Sequence, residues 1–434
     1  MPALSSAEER VASAPDSWLT WTRSPVRECV SRFKVRQAAM GARAISGRIA
    51  AVENGPELRA WLERLVEAKV KAALEAEREA RFRETFALIS VRPADPLAET
   101  LARLLDQRLV DVDIVTFGDG EKKPVIRENL SGKNVFVIAT VGMSEDPDVS
   151  FANTCRLVSA LRRTCKAGRI TVVAPCLWYQ AQDKTHARRE PISVRDVADD
   201  ITRRGMDHIM VVELHSEQIE IAFDSFDHLK VTPLFADYLS RRCQDYGDRV
   251  VLISPDDGGV RTREELFKNM SAECIAGLAS VHQLRVRGQV DAKEVLEFVG
   301  DVEGKVGVIF DDMLRSGTTM FQAAAEAKKR GAKRVVGAVA HFFGVSSRGK
   351  SFEEKLVESA LDELIITNTR PDYFERAIDT PELRAKITLL DISPYLARAI
   401  RNYLTGGTVK DMIQGVPDRR ELYQILHAAG AGSR

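Results

Sequence analysis

The six cysteines form no CxxC pair, and their spacing frames neither a disulfide scaffold nor a zinc site. Cys29, Cys155, Cys165, Cys176, Cys243 and Cys274 are expected as reduced, mostly buried thiols of a cytoplasmic protein. Charge of neither sign is in excess: 63 basic side chains meet 63 acidic ones. No basic half is marked out for nucleic acid, and none is expected as a partner. A small anionic substrate is not excluded, because it needs only a local patch. No apolar run approaches the roughly 18–20 residues of a membrane span, so no membrane contact is expected. The opening MPALSSAEERVASAPDS has no apolar core, and no secretory signal is expected there.

What is present is enough apolar material for large cores. At 434 residues and 44% hydrophobic, the chain is long enough for two or three domains. Residues 1–55 have no strong period. Asn54-Gly55-Pro56 then opens an expected amphipathic helix, with Leu58, Trp61, Leu65, Val66 and Ala73 apolar among dense charges. Packing on its own domain and contact with a partner are both open readings of that helix.

From Phe86 the texture changes to short apolar strands separated by helices. Strand-like runs are FALISV, VDIVTF, NVFVIATV, RITVVAP, HIMVVEL, RVVLIS, KVGVIFDD, RVVGAVAHF and ELIITN. That alternation predicts an α/β fold with parallel sheets covered by helices. The expected organisation is a helical extension over 1–85, two α/β halves over 86–236 and 237–413, and a tail over 414–434. Ligands are expected at the carboxyl ends of the strands.

The most informative stretch is VGVIFDDMLRSGTTM, residues 306–320. A buried strand ends in two adjacent acids, Asp311 and Asp312. A small-residue turn, Ser316-Gly317-Thr318-Thr319, then opens a helix. A helix N-terminus offers free N–H groups and a positive dipole end to a phosphate. Two carboxylates beside it suit the vicinal hydroxyls of a sugar. The plainer reading is a strand–helix connection with an acidic cap.

These residues resemble the ribose-phosphate loop of the ribose-phosphate pyrophosphokinases, and further segments match that family in order. They are FGDGE (Phe117–Glu121), RITVVAPCLWYQAQDK with REPIS, MDHIMVVELHSEQIEIAFD, VLISPDDGG and KITLLDISPYLARAI. The resemblance spans roughly residues 86–413 and implies two phosphoribosyltransferase-like domains with the active site between them. It implies ATP and ribose 5-phosphate as substrates, Mg2+ as the metal, and a homo-oligomer.

Carried over residue by residue, the resemblance places ribose hydroxyls on Asp311 and Asp312 and the 5-phosphate on Ser316, Gly317, Thr318 and Thr319. His215 and Asp256 become the metal residues. Phe117, Asp119 and Glu121 become an adenine-gripping hairpin that the family takes from a neighbouring subunit. Gln182, Asp183 and Lys184 belong to the ATP segment. The flexible catalytic segment aligns with Ala279–Val302, which puts Gln283 at the family's lysine and Arg285 at its arginine. For His215 the plain alternative is a structural histidine after a strand; for the hairpin it is an ordinary glycine turn.

Three departures bear on activity, so the chain reads as a divergent member. Ala181 stands where the family's ATP segment has arginine, Gln283 where it has lysine, and Arg315 where its sugar loop has a third acid. Arg315 has three open partners: Asp311 or Asp312, a phosphate, or solvent. Losing one preorganised donor costs about 2.7–4 kcal/mol, or roughly 10²–10³ in rate. Arg261, Arg263 and Arg287 lie near enough in sequence to be candidates for compensation. Three functions stay open here: a pyrophosphokinase, a catalytically weak regulatory relative, and a phosphoribosyltransferase. The last is disfavoured by the FGDGE, ELHSEQ and SPDDGG segments.

Overall fold

The computed structural model describes residues 86–405, apart from 143–144, 186, 247–248, 257, 285–294, 348 and 372–379; before them it describes Lys69 alone. The helix expected over 56–84, the rest of the 1–85 extension and the 414–434 tail lie outside the described residues.

Every apolar run expected as a strand forms one. The first sheet joins β1 (Phe86–Ser90), β4 (Asn134–Ile138), β5 (Arg169–Ala174), β6 (His208–Val212) and β7 (Phe226–Leu229), in that order and all parallel. Between β1 and β4, the antiparallel hairpin of β2 (Val112–Thr116) and β3 (Lys122–Ile126) stands apart as a two-stranded sheet.

The second sheet has seven strands. They are β8 (Val250–Ser254), β9 (Ile275–Leu284), β10 (Val295–Val299), β11 (Val306–Leu314), β12 (Arg334–Phe342), β13 (Glu363–Thr367) and β14 (Ile387–Leu390). Their order is β10-β9-β8-β11-β12-β13-β14, and only the β9–β10 pair is antiparallel. The central strands β8 and β13 are buried along their whole length, as expected of a sheet covered on both faces.

Helices connect the strands: α1 (Pro96–Leu104), α2 (Pro147–Arg163), α3 (Ser193–Arg203), α4 (Thr232–Tyr246), α5 (Val260–Asn269), α6 (Thr318–Lys329), α7 (Phe352–Glu358), α8 (Pro381–Lys386) and α9 (Ser393–Thr405). Local chemistry sets their starts. Asp95 caps α1 by accepting from the Leu97 and Ala98 amides, with Pro96 at the first position. Ser351 and Glu354 cap α7 reciprocally.

Small residues seat α6 close to its sheet. Ala323, Ala324 and Ala327 are fully buried on its inner face. Beneath them, a Cβ added at Gly337 of β12 would stand 2.8 Å from Met320 Sδ. The N-terminus of α6 is thereby fixed at the end of β11, where the two acids sit.

Contacts join the two sheets near their strand ends. Helix α4 links the sheets in sequence and packs on the second, with Phe235 against Phe310 of β11 at 4.9 Å between ring centroids. Arg370 donates to the Gly142 carbonyl at 3.1 Å, and Tyr395 to the Lys230 carbonyl at 3.0 Å. Helix α9 follows β14 in sequence but lies on the first sheet, where Tyr403 stacks on His208 at 4.8 Å.

Candidate active site

Strand β11 is buried over its first five residues and opens to half-buried positions at Asp311, Asp312 and Met313. Beyond it, Gly317 takes a φ of +76°, the left-handed turn that lets the chain swing into α6. The helix begins without a side-chain cap, which leaves its first-turn amides to a ligand. The turn is braced from behind. Lys355 donates to the Ser316 carbonyl at 2.6 Å and to Ser347 Oγ at 2.9 Å. The chain after β12 also pairs with it, Val345 N donating to the Arg315 carbonyl at 2.8 Å.

A cavity of about 280 Å3 opens here, lined by Asp311 through Met320 together with His215, Asp256 and Ala181. All six residues assigned to ribose phosphate line it, and both residues assigned to the metal join them. His215 comes from the end of β6 in the first sheet and reaches Asp312 of the second, Nδ1 to Oδ2 at 2.7 Å. Asp256 also serves its own turn, accepting from Gly259 N at 2.9 Å.

The two acids are driven apart electrostatically. Burial, the neighbouring Asp312 charge and Asp256 hold the Asp311 carboxyl well above the ordinary carboxylate range. Burial also acts upward on Asp312, but the hydrogen bond and charge of His215 overcome it and hold Asp312 below that range. The same bond raises the His215 pKa against its burial. The site therefore holds an acid whose surroundings favour its protonated form beside an acid whose histidine partner favours its ionised form, two carboxyl groups with separate roles.

The ATP-side residues are dispersed. Ala181 lines the cavity directly. Gln182 does not: its Oε1 accepts from Ser193 Oγ at 2.6 Å at the start of α3. Asp183 keeps a buried Oδ1 without a protein partner, and both Asp183 and Lys184 act electrostatically on His215. Phe117, Asp119 and Glu121 form the tip of the β2–β3 hairpin and do not line this cavity. There Asp119 accepts from Glu121 N at 3.0 Å, and Phe117 is 45% exposed beneath Lys123 Nζ. Gln283 lies in β9, its backbone opposite Leu296, while Arg285 and Arg287 lie outside the described residues.

The two nearby arginines proposed from sequence as compensating cations are occupied elsewhere. Arg261 pairs with Glu217, and buried Arg263 donates to the Ala279 carbonyl at 2.8 Å and Ser280 Oγ at 2.6 Å. Arg315 pairs with neither acid. It lies over the Phe343 ring at 5.5 Å, with Arg370 at 4.4 Å from the same centroid.

Gln180 lies in the ATP segment but drew no role from the sequence, and His341 and Arg370 were not visible from it as parts of this region. Gln180 is buried and accepts from the His215 amide at 3.2 Å. His341 sits inside the apolar run AVAHFF, and no local pattern sets it apart from a core histidine.

Among the described residues, no three His, Cys, Asp or Glu side chains form a ready metal cage. Mg2+ keeps its waters and binds through one or two carboxylates together with substrate phosphates. Of the residues implied as its holders, Asp256 offers the cavity such a carboxylate and His215 an imidazole nitrogen.

Comparison with known proteins agrees with this geometry. The profile of the N-terminal domain of ribose phosphate pyrophosphokinase matches residues 86–205, and that of the phosphoribosyl synthetase-associated domain matches residues 269–413. The chain is 34% identical to a ribose-phosphate pyrophosphokinase of Streptomyces coelicolor, over 74% of this chain and 94% of that one. It is 37% identical to one of Hyphomonas neptunium, over 72% and 95%. The crystal structure of phosphoribosylpyrophosphate synthetase from Mycobacterium smegmatis superposes with a TM-score of 0.65 at 31% identity, covering 74% of this chain and all of that one. Relatives at this identity, matched over nearly their whole length, make the chain a member of the ribose-phosphate pyrophosphokinase family.

Proposed function

We propose that the protein transfers pyrophosphate from ATP to ribose 5-phosphate, releasing AMP and serving nucleotide biosynthesis in the cytoplasm. The observation that carries this reading is the single cavity in which Asp311, Asp312, the 316–319 turn and His215 meet. In it Asp312, whose ionised form His215 favours, accepts from ribose hydroxyls, and Asp311, pushed toward its protonated form, supplies the second carboxyl group. The amides and hydroxyls of Ser316–Thr319 hold the 5-phosphate at the N-terminus of α6. The anomeric hydroxyl then attacks the β-phosphorus of ATP, and AMP leaves. Bound Mg2+, held by His215 and Asp256, would neutralise charge on the polyphosphate. Gln182, Asp183 and Lys184 belong to the ATP side, and to Arg285 we assign neutralisation of the charge that develops on the transferring group. We assign residues 86–236 and 237–413 to two domains, and the hairpin of Phe117, Asp119 and Glu121 to the adenine of a neighbouring chain in a homo-oligomer.

The experiment is direct: purified protein, ATP, Mg2+ and ribose 5-phosphate should yield AMP and phosphoribosyl pyrophosphate in equal amounts. AMP without the sugar product sinks the reading. One observation favours a second reading, a weak relative that binds sugar phosphate and regulates an active synthetase. Ala181 lines the cavity where a cation would serve, and Arg261 and Arg263 are tied up elsewhere. Tight calorimetric binding of ribose 5-phosphate with no AMP formed would select it.

A further inference from the structure

One peptide bond, between Glu213 and Leu214, is held at both ends by histidines. Its carbonyl accepts from His341 Nε2 at 2.8 Å, and its N–H donates to His228 Nε2 at 3.0 Å. His341 comes from β12 of the second sheet and is fully buried; His228 comes from β7 of the first and is 8% exposed. The next amide, of His215, donates to Gln180 Oε1.

The chemistry of the groups assigns the protons. A carbonyl can only accept, so His341 carries a hydrogen on Nε2. An amide can only donate, so His228 Nε2 is bare and its hydrogen sits on Nδ1, where Glu220 Oε1 stands 3.0 Å away. The other nitrogen of His341 meets Thr369 Oγ1 at 3.0 Å. The two rings thus meet one peptide in opposite senses, His341 giving it a hydrogen from Nε2 and His228 taking one at Nε2.

The clamp sits where the backbone needs holding. Glu213 has a φ of +36°, which a residue with a Cβ adopts only when its surroundings over-determine it. Two residues on, the His215 imidazole bonds Asp312. In the sheet register His341 lies directly opposite Met313, the neighbour of Asp312. It therefore ties the strand end that delivers His215 to the strand that delivers Asp312.

We propose that His228 and His341 are positioning residues, which hold the Glu213–Leu214 peptide so that His215 stands against Asp312. The inference rests on the reading of His215 and Asp312 as site residues. Neither histidine touches the cavity.

Three measurements test it. In the wild type, 15N imidazole spectra should show His341 protonated on Nε2 and His228 bare on Nε2; the reverse at either ring overturns the clamp. Next, hydrogen exchange at 213–215 should rise about tenfold or more in His228→Leu and in His341→Leu, with exchange in β11 unchanged. His228→Gln restores an acceptor and His341→Gln a donor, and both should return exchange toward wild type. Finally, AMP formation should lose kcat by about ten- to a hundredfold in the leucine variants, the scale of a small misplacement at a site. Their KM for ribose 5-phosphate should stay within about twofold, because β11 and its turn are untouched. Folded leucine variants with wild-type exchange at 213–215, or with unchanged kcat, overturn the proposal. A wild type that forms no AMP defeats the proposed activity alone, since ring protonation and exchange still decide the clamp.

Discussion

At the scale of single residues, the two adjacent acids are not interchangeable. Asp311 is raised by burial beside Asp312 and Asp256, while Asp312 is kept ionised by His215. Asparagine resembles a protonated acid more closely than an ionised one. Asp311→Asn should therefore change ribose 5-phosphate affinity little, by less than about fivefold or ~1 kcal/mol, the worth of one neutral hydrogen bond. Asp312→Asn should weaken it by about ten- to a hundredfold, since a bond to a charged group is worth about 1.5–3 kcal/mol. Calorimetry on the two variants decides, and equal losses would refute the division of roles. A second pair of changes concerns missing cations. Ala181 already lines the cavity, so Ala181→Arg brings a charge to it without rebuilding the backbone. Combined with Gln283→Lys, it should raise the rate of AMP formation by about tenfold or more if charge neutralisation limits turnover. No gain in the double variant would show that the limit lies elsewhere.

At the scale of elements, the site is made where strands end, and strand ends are also what the sequence reveals least evenly. The β11–turn–α6 unit was legible because three signals coincide in one stretch: an apolar run, paired acids and a small-residue turn. Strands β3, β7, β9, β10 and β14 were not anticipated. β3 contains KKP, β7 is four residues with Asp and His, and neither has an apolar period to read. The β6 end shows the same limit. ELHSEQ marks His215, but its holders His228, His341 and Gln180 arrive from 13, 126 and 35 residues away, respectively, and only the fold brings them together. That packing has a pH consequence. Burial, aided by Lys230, pushes the His228 pKa down to about 4 from its ordinary 6.5. Between those values the unfolded chain takes up a proton that the folded chain refuses, so stability falls as pH drops through that window. His228→Gln removes this titration and keeps an acceptor for the Leu214 amide. From pH 7 to pH 4.5 the wild-type Tm should fall by more than that of the variant. Parallel curves would mean that His228 carries no such shift.

At the scale of the whole molecule, the chain holds only part of the site its family membership calls for. The residues proposed for the sugar phosphate come together within one chain, from both sheets. The hairpin tip does not join them: Phe117 and Val115 are exposed, and no hairpin residue reaches the cavity. If this exposed aromatic serves a neighbouring chain, as the proposed adenine grip requires, a symmetric pair of chains would exchange hairpins between sites. Sedimentation at micromolar protein should therefore give a mass of at least two chains. Mixing supplies the sharper test. Phe117→Ala spoils the hairpin, and Asp312→Ala spoils the sugar site. If both groups act in the same chain, a mixture of the two inactive proteins stays inactive. If the hairpin acts on its neighbour, each mixed pair contains one site with both groups intact. Random re-pairing into symmetric dimers makes half the pairs mixed, so about a quarter of the wild-type rate should return. Recovery after co-refolding, with none on simple mixing of stable oligomers, places the adenine grip across the subunit boundary; no recovery under either condition confines it to one chain.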